Sequence, residues 1–373
     1  MSTATQLKVP YVQLGAQHAD IKGAILDRIS ALLDSGEFIL GSEVAAFEKS
    51  FAELCGTKYA LGVANGTDAL FLSMMSLGIG AGDEVITAPN SYLASASSIA
   101  LAGARPVFAD VLDDFNLDPA AVRKAVTPRT KAIIAVHLTG RPARMKELLA
   151  IAAEHKLHVL EDCAQAIGAT LNGQHVGSFG IAGCFSLHPL KNLAAAGDGG
   201  VITTSDDALY ARLLKARNHG LRDRDNCEFF SYNSRLDNLQ AAILNIKLSK
   251  LAGWTERRRA IAATYQERLA GVGDLIVPKD QGGEWAVYHT FIIQTAQRDA
   301  LKQYLMDHGI DTKVHYPVPI HLQQAAAYLG CKRGDFPVTE RQCTSILSLP
   351  VFAELNDEQV GHVADTIVAF FNK

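Results

Sequence analysis

From Ile21, in IKGAILDRISALLDSG, apolar residues recur every three or four positions, the period of a helix with one buried face. After Ser42, read as an N-cap, Val44, Phe47, Phe51 and Leu54 mark a second amphipathic helix. From Lys58 the pattern changes. KYALGVA, DEVITAP, RPVFADV, KAIIAVHL, LHVLED, AGCFSLH and GGVITTS are short, β-rich and almost continuously apolar. Helical stretches such as TDALFLSMMSLG, YLASASSIALAG and ARMKELLAIAAEH lie between them. Strands apolar along their whole length need cover on both faces. The alternation therefore predicts an α/β fold, a mostly parallel central sheet between helices. Past about residue 250 come a helix, strand YHTFIIQT, helix RDALKQYLMDHG, a strand near KVHYP and a terminal helix. This reads as a smaller C-terminal α+β domain, linked by a long helix beginning near Asn238. The expected division is 1–250 and 251–373, with the N-terminal helices candidates to pack on the smaller part.

Composition narrows the partners. A chain of 373 residues exceeds a single core, in keeping with two domains. A net charge of −4 gives no reason to expect nucleic acid or an anionic membrane as partner. No apolar run approaches membrane-spanning length, and the N-terminus lacks a basic region followed by an apolar run, so no signal peptide is expected. Six cysteines are scattered without CxxC spacing, which favours a reduced, cytoplasmic protein without structural zinc.

Open α/β sheets bind ligands beyond the carboxyl ends of their strands. Three such ends carry polar residues. In VANGTDAL, Gly66 and Thr67 open a helix; the turn is either an ordinary cap or a phosphate cradle of free N–H groups and a hydroxyl. In HVLEDCAQAIGA, Asp162 ends an apolar strand with Gln165 three residues on; a buried carboxylate there caps a helix or meets a cationic partner. In CFSLHPLKNLAAAGDGG, Ser186 ends a strand and Lys191 follows in a loop without periodicity. A lysine leaving a buried strand is partly desolvated, which lowers its pKa toward the nucleophilic range. Together these supply what pyridoxal phosphate requires: a lysine for a Schiff base, an acid for the ring nitrogen and a phosphate anchor. Tyr92, at another strand-to-helix junction, can stack on a ring.

With those residues in view, the chain resembles the DegT/DnrJ/EryC1/StrS family of sugar aminotransferases, pyridoxal phosphate enzymes of aspartate-aminotransferase-like fold type I. NGTDAL, GARPVFADV, AVHLTGRPARM, EDCAQAIGA, CFSLHPLKNLAAAGDGG, YNSRLDNLQAA and HYPVPIHLQ match in order over nearly the whole length. The resemblance implies that Lys191 holds the cofactor and Asp162 pairs with its ring nitrogen. It implies Gln165 on the ring hydroxyl side, Gly66, Thr67 and Ser186 on the phosphate, and Tyr92 on the ring face. Asn233 would reach the cofactor of the neighbouring subunit, making a homodimer with composite active sites. Ser231, Leu190 and Ala194 depart from the residues common in the family but leave Lys191, Asp162 and Asn233 in place.

The implied reaction moves an amino group from an amino-acid donor, L-glutamate by family habit, to a nucleotide-linked keto sugar. GDGG together with HYPVPIH resembles the branch acting at C-3 of a dTDP-3-keto-6-deoxyhexose, with His315 and His321 as candidate substrate contacts. A C-4 keto-sugar or inosose aminotransferase, a sugar dehydratase and a non-enzymatic cofactor-binding regulator are the alternatives. Lys191 argues against the dehydratase, whose relatives carry histidine there, and no basic stripe supports the regulator.

Overall fold

The structure is a computed structural model describing residues 7–372. The first six residues, part of the stretch read above as lacking a signal peptide, lie outside the described residues. Seven strands form the central sheet: β1 (Tyr59–Val63), β2 (Glu84–Thr87), β3 (Arg105–Phe108), β4 (Thr130–Val136), β5 (His158–Asp162), β6 (Ala182–Ser186) and β7 (Gly200–Thr204). Their order is β1-β7-β6-β5-β4-β2-β3. All neighbours are parallel except β7, which runs antiparallel to both β6 and β1.

Side chains alternate across the sheet, so adjacent residues feed opposite cores. Ile134 joins Val63, Leu70, Met74 and Leu160 on one face. Ile133 joins Ile86, Met145, Leu148 and Val159 on the other. Both faces are dry, which is why these strands read as unbroken apolar runs.

Four of the helices are α1 (Lys22–Ser35), α2 (Ser42–Cys55), α3 (Gly66–Ser76) and α4 (Ala94–Leu101). Of these, α3 and α4 follow strand ends at the candidate site, while α1 and α2 pack on the helix that begins at Asn238. After the sheet, the helix expected near Asn238 is two helices, α5 (Asn238–Leu248) and α6 (Leu251–Arg268). Ser42 is not the cap of α2. Gly41 takes that position, and the Ser42 hydroxyl donates to Glu37 at 3.1 Å. The capping bond comes from a distant helix: Asn238 Oδ1 accepts from the Val44 N–H at 3.1 Å. Gly41 permits that approach, because a Cβ there would lie 2.4 Å from Asn238 Nδ2.

The C-terminal part pairs β8 (Phe291–Gln294) antiparallel with β9 (Ile346–Leu349). Helices α7 (Arg298–Asp307) and α8 (Asp357–Phe371) join α6 around Tyr265, Leu301, Leu305, Val363 and Ile367. The strand expected near KVHYP reduces to one bridge, Lys313 to Ser348. Pro317 and Pro319, lacking N–H groups, leave the following segment unable to extend a ladder.

Candidate active site

The three strand ends singled out in the sequence meet at the carboxyl edge of the sheet. Ser186 closes β6 and pairs with Gly200, which also pairs with Val63 at the end of β1. The glycines make this junction possible. A Cβ on Gly66 would stand 2.7 Å from Ser186 Cβ, and one on Gly200 would stand 2.4 Å from the Asn65 carbonyl oxygen. Thus Gly66 lets α3 begin directly against Ser186, and the last glycine of GDGG seats the same turn from the far side. Asn65 caps α3 by accepting from Asp68 N–H at 2.8 Å. Thr67 follows on the first turn, half-buried, next to the Gly66 that packs on Ser186, so its hydroxyl and the free N–H groups of the first turn lie at this junction.

Between β6 and β7 the chain makes the loop that carries Lys191. Leu187 N–H donates to Gly199 O, Ala195 N–H to Leu187 O and Lys191 N–H to His188 O, each at 2.8 Å. Burial lowers the Lys191 amine to about 8, and the Asp162 carboxylate partly opposes that shift. A neutral fraction that becomes substantial near pH 8 is what a nucleophilic or proton-moving lysine needs.

Asp162, 6 % exposed, ends β5. Its Oδ2 accepts from Ser95 Oγ at 2.7 Å and its Oδ1 from Ala164 N–H at 3.2 Å. Gln165 is fixed by accepting from Thr139 N–H at 2.7 Å. Burial first, then the neighbouring Asp162 and Tyr92, push the Tyr316 phenol upward, while Gln165 counters as its hydrogen-bond partner. Tyr92 stands 57 % exposed with its ring 5.8 Å from that of Tyr316, so an aromatic face is free above the edge.

Two histidines approach Lys191 from the C-terminal part. Burial, then the charge of Lys191, depresses both: His315 to about 4 and His289 well below its ordinary value. His289 Nδ1 meets Asn192 Oδ1 at 3.2 Å, and Asn192 Nδ2 donates to Val287 O at 3.1 Å. The Asn192 oxygen can only accept, so His289 carries its proton on Nδ1. His315 Nδ1 lies 2.9 Å from Ser348 Oγ.

The structure thus groups Lys191, Asp162, Gln165, Tyr92 and His315, with Gly66, Thr67 and Ser186 converging at the adjoining junction. His321 is not among them: it is 2 % exposed, 3.1 Å from Glu340 Oε1, with its ring edge-on to Phe336. Asn233 is exposed on the segment that bridges to Asn218, with no hydrogen bond to this cluster within its own chain. Ser95, Tyr316, Asn192 and His289 went unread in the sequence. Ser91 and Ser95 left a signal, two hydroxyls four residues apart at the start of a serine-rich helix. Tyr316 sits inside HYPVPIH itself.

The arrangement fits pyridoxal phosphate. The desolvated amine, the hydrogen-bonded carboxylate, the glycine-walled hydroxyl cradle and the free aromatic face are its four requirements. A metal fits poorly. His137, Glu161 and Cys163 cluster within 4.8 Å, but the ligand atoms of His137 and Glu161 are engaged. His137 Nδ1 accepts from Ala143 N–H, so Nε2 donates to Glu161, which also accepts from Gly177, Phe179 and Gly180 N–H. Among the described residues no helix is long and apolar enough to cross a membrane.

Comparison with known proteins agrees with this fold. A model of the DegT/DnrJ/EryC1/StrS aminotransferase family matches residues 19–368. The chain is 45% identical over 368 residues to a protein of Geobacillus stearothermophilus named pleiotropic regulatory protein, covering 98% of this chain and 99% of that one. It is 45% identical over 360 residues to a UDP-N-acetyl-3-dehydro-alpha-D-glucosamine 3-aminotransferase of Acidithiobacillus ferrooxidans, covering 96% of this chain and 97% of that one. The solved structure of DesV from S. venezuelae, in complex with a ketimine intermediate, superposes with a TM-score of 0.96 at 41% identity. That match covers 98% of this chain and 99% of DesV.

Proposed function

The chain belongs to the DegT/DnrJ/EryC1/StrS aminotransferase family, and from that premise we propose a pyridoxal phosphate-dependent transfer of an amino group from L-glutamate to a nucleotide-linked keto sugar. The observation that carries this reading is Lys191, whose amine is held near a pKa of 8 beside Asp162 at the carboxyl edge of the sheet. C-3 of a dTDP-3-keto-6-deoxyhexose is the acceptor favoured by GDGG and HYPVPIH. The 3-aminotransferase among the relatives supports the position, though its sugar is carried on UDP.

Bound at this site, pyridoxal phosphate supplies an electron sink that acidifies the hydrogen on the donor's amino carbon. The residues provide the rest. Lys191 anchors the cofactor and, once displaced by the donor, its neutral amine takes and returns that proton. Asp162, oriented by the hydrogen bonds its oxygens accept from Ser95 and Ala164, supplies the carboxylate that a protonated ring nitrogen needs. Thr67, Ser186 and the first N–H groups of α3 bind the phosphate, with Asn233 contributed by the second copy of a homodimer. Gln165 faces the ring hydroxyl and Tyr92 stacks on the ring. His315, neutral near pH 7, is a hydrogen-bonding contact for the sugar. His321 acts at one remove: the segment it belongs to is tied to the Pro89–Tyr92 turn by Ile320 N–H donating to Pro89 O at 2.8 Å. The donor's amino group ends on the sugar carbon; the ketone oxygen leaves as water, and a second water supplies the oxygen of the donor's keto acid, so the two waters cancel.

The test is a panel of 3-keto and 4-keto nucleotide sugars, and inososes, incubated with labelled glutamate and purified protein. Label in a 3-amino sugar is the expected result, and transfer only to 4-keto sugars or inososes would move the reading to those acceptors. The regulatory name of one relative makes a second outcome informative. Cofactor binding without conversion of any donor to its keto acid would favour a regulator. Borohydride should fix the cofactor to wild type but not to Lys191→Ala.

A further inference from the structure

We propose that the cavity beside Lys191 is a carboxylate site, in which Arg258 and Thr290 hold the amino-acid donor. The proposal rests on the aminotransferase reading above and adds to it the residues that recognise the donor.

Two unmet requirements meet in this cavity of 450 Å³. Arg258, on α6, is 7 % exposed. Its Nη1 donates to the carbonyls of Val351 (2.7 Å), Tyr288 (3.1 Å) and His289 (3.4 Å). Among the described residues Nε and Nη2 have no hydrogen-bond partner and no carboxylate lies within ion-pair distance of the guanidinium. Glu354 opposes its charge only from beyond ion-pair distance, a buried cation so weakly compensated is costly, and three carbonyl dipoles satisfy only one of its nitrogens. Thr290 is 6 % exposed, and its buried hydroxyl has no hydrogen-bond partner. Both residues line the cavity. A carboxylate would accept from the guanidinium and the hydroxyl at once.

The remaining wall favours an anion and fixes where it sits. Lys313 and Arg258 oppose one carboxylate, Asp311, while His289 and His315 are kept neutral by burial. Leu190, also on the wall, precedes Lys191 in the chain, and His289 is bonded to Asn192, which follows it. A donor whose carboxylate enters here presents its amine toward Lys191. The cavity suits a small amino acid better than a nucleoside diphosphate, whose phosphates could also seek Arg258.

The test uses the cofactor-loaded protein and glutarate, a dicarboxylate with no amine to react. Thr290→Val keeps the side-chain shape, and Arg258→Lys keeps the charge. Thermal unfolding and retained cofactor absorbance establish that each variant is folded. Glutarate affinity measured by calorimetry should fall about tenfold or more in both, since a hydrogen bond to a charged group is worth about 1.4 kcal/mol or more. Affinity for dTDP should not change. Unchanged glutarate affinity in folded Thr290→Val, or a loss confined to dTDP, overturns the assignment. If wild type binds glutarate in this residue-dependent way yet aminates no keto sugar, the carboxylate site stands and the sugar reading fails. If wild type aminates a keto sugar while both variants bind glutarate like wild type, the sugar reading stands and the carboxylate site fails.

Discussion

Ser95 Oγ donates a 2.7 Å hydrogen bond to Asp162 Oδ2, and Ser91 Oγ lies 2.7 Å behind it. Because the Ser95 proton is committed to the carboxylate, Ser91 must be the donor to Ser95. The two hydroxyls form a one-way relay from the Tyr92 turn to the acid of the site. Ser95→Ala should cost about 1–3 kcal/mol, since it leaves a buried charged acceptor short of a donor. Ser91→Ala should cost less, because the Ser95–Asp162 bond survives. Urea unfolding would rank them, and cofactor affinity should weaken in the same order. Equal effects would show that the relay has no direction.

Lys191 titrates near 10.5 in an unfolded chain and near 8 in the folded one. Between those values the unfolded chain holds more protons, so the stability of cofactor-free protein rises as pH climbs through the window. Below pH 8 the folded state carries the full penalty of a desolvated ammonium. Cofactor-free Lys191→Met should therefore melt above wild type at pH 7, with the gap closing by about pH 10.5. Melting curves at several pH values test this, and a gap independent of pH would refute the shifted amine.

Gly66→Ala and Gly200→Ala probe the junction of β1, β6 and β7. The first places Cβ against a side chain, Ser186, and the second against backbone, the Asn65 carbonyl. Overpacking of this kind costs about 1–3 kcal/mol, and more where backbone must move. Gly200→Ala should be the worse of the two by thermal denaturation, although it lies farther from Lys191 in the chain than Ser186 does. Double substitution with Ser186→Gly should rescue Gly66→Ala alone.

Glu161, 0 % exposed, gathers one imidazole N–H and three backbone N–H groups. Glu161→Gln offers one oxygen where four donors need two, so it should lose at least about 2 kcal/mol in chemical unfolding. Chelator should leave the wild-type midpoint unchanged, because hydrogen bonds already occupy the His137 and Glu161 atoms a metal would use. A chelator-induced drop would identify His137, Glu161 and Cys163 as ligands instead.

Much of the site could be read from the sequence because it lies where strand ends must lie. Asp162 and Ser186 each terminate an apolar run, and the run itself locates the edge. Positions that depend on tertiary approach were not legible. Asn238 caps a helix that begins at residue 42. Nothing local in SEVAAF shows that Ser42 will give up the role. The strand expected at KVHYP failed because its prolines outweigh its β-branched residues. Arg258 appeared as one cation in ERRRAIAATYQERL, a solvated face by its periodicity. Its burial appears only when residues 288–290 and 351 close around it.

The reversal of β7 has a mechanical consequence. A loop between parallel strands leaves the sheet at one edge and must travel to the opposite edge to re-enter. Here Ser186 and Gly200 are paired neighbours, so the reactive amine rides on a closed handle whose two feet stand side by side. Such a handle resists pulling and twisting from outside, because any displacement of one foot drags the other. It also has no slack to donate. Lengthening or nicking residues 187–199 would loosen the amine and the Gly66–Ser186 junction in one stroke, whereas the loops that touch the handle from the C-terminal part can drift without unseating it. Engineering of acceptor choice therefore has its freedom around His315 and the Tyr92 turn, and none in the handle.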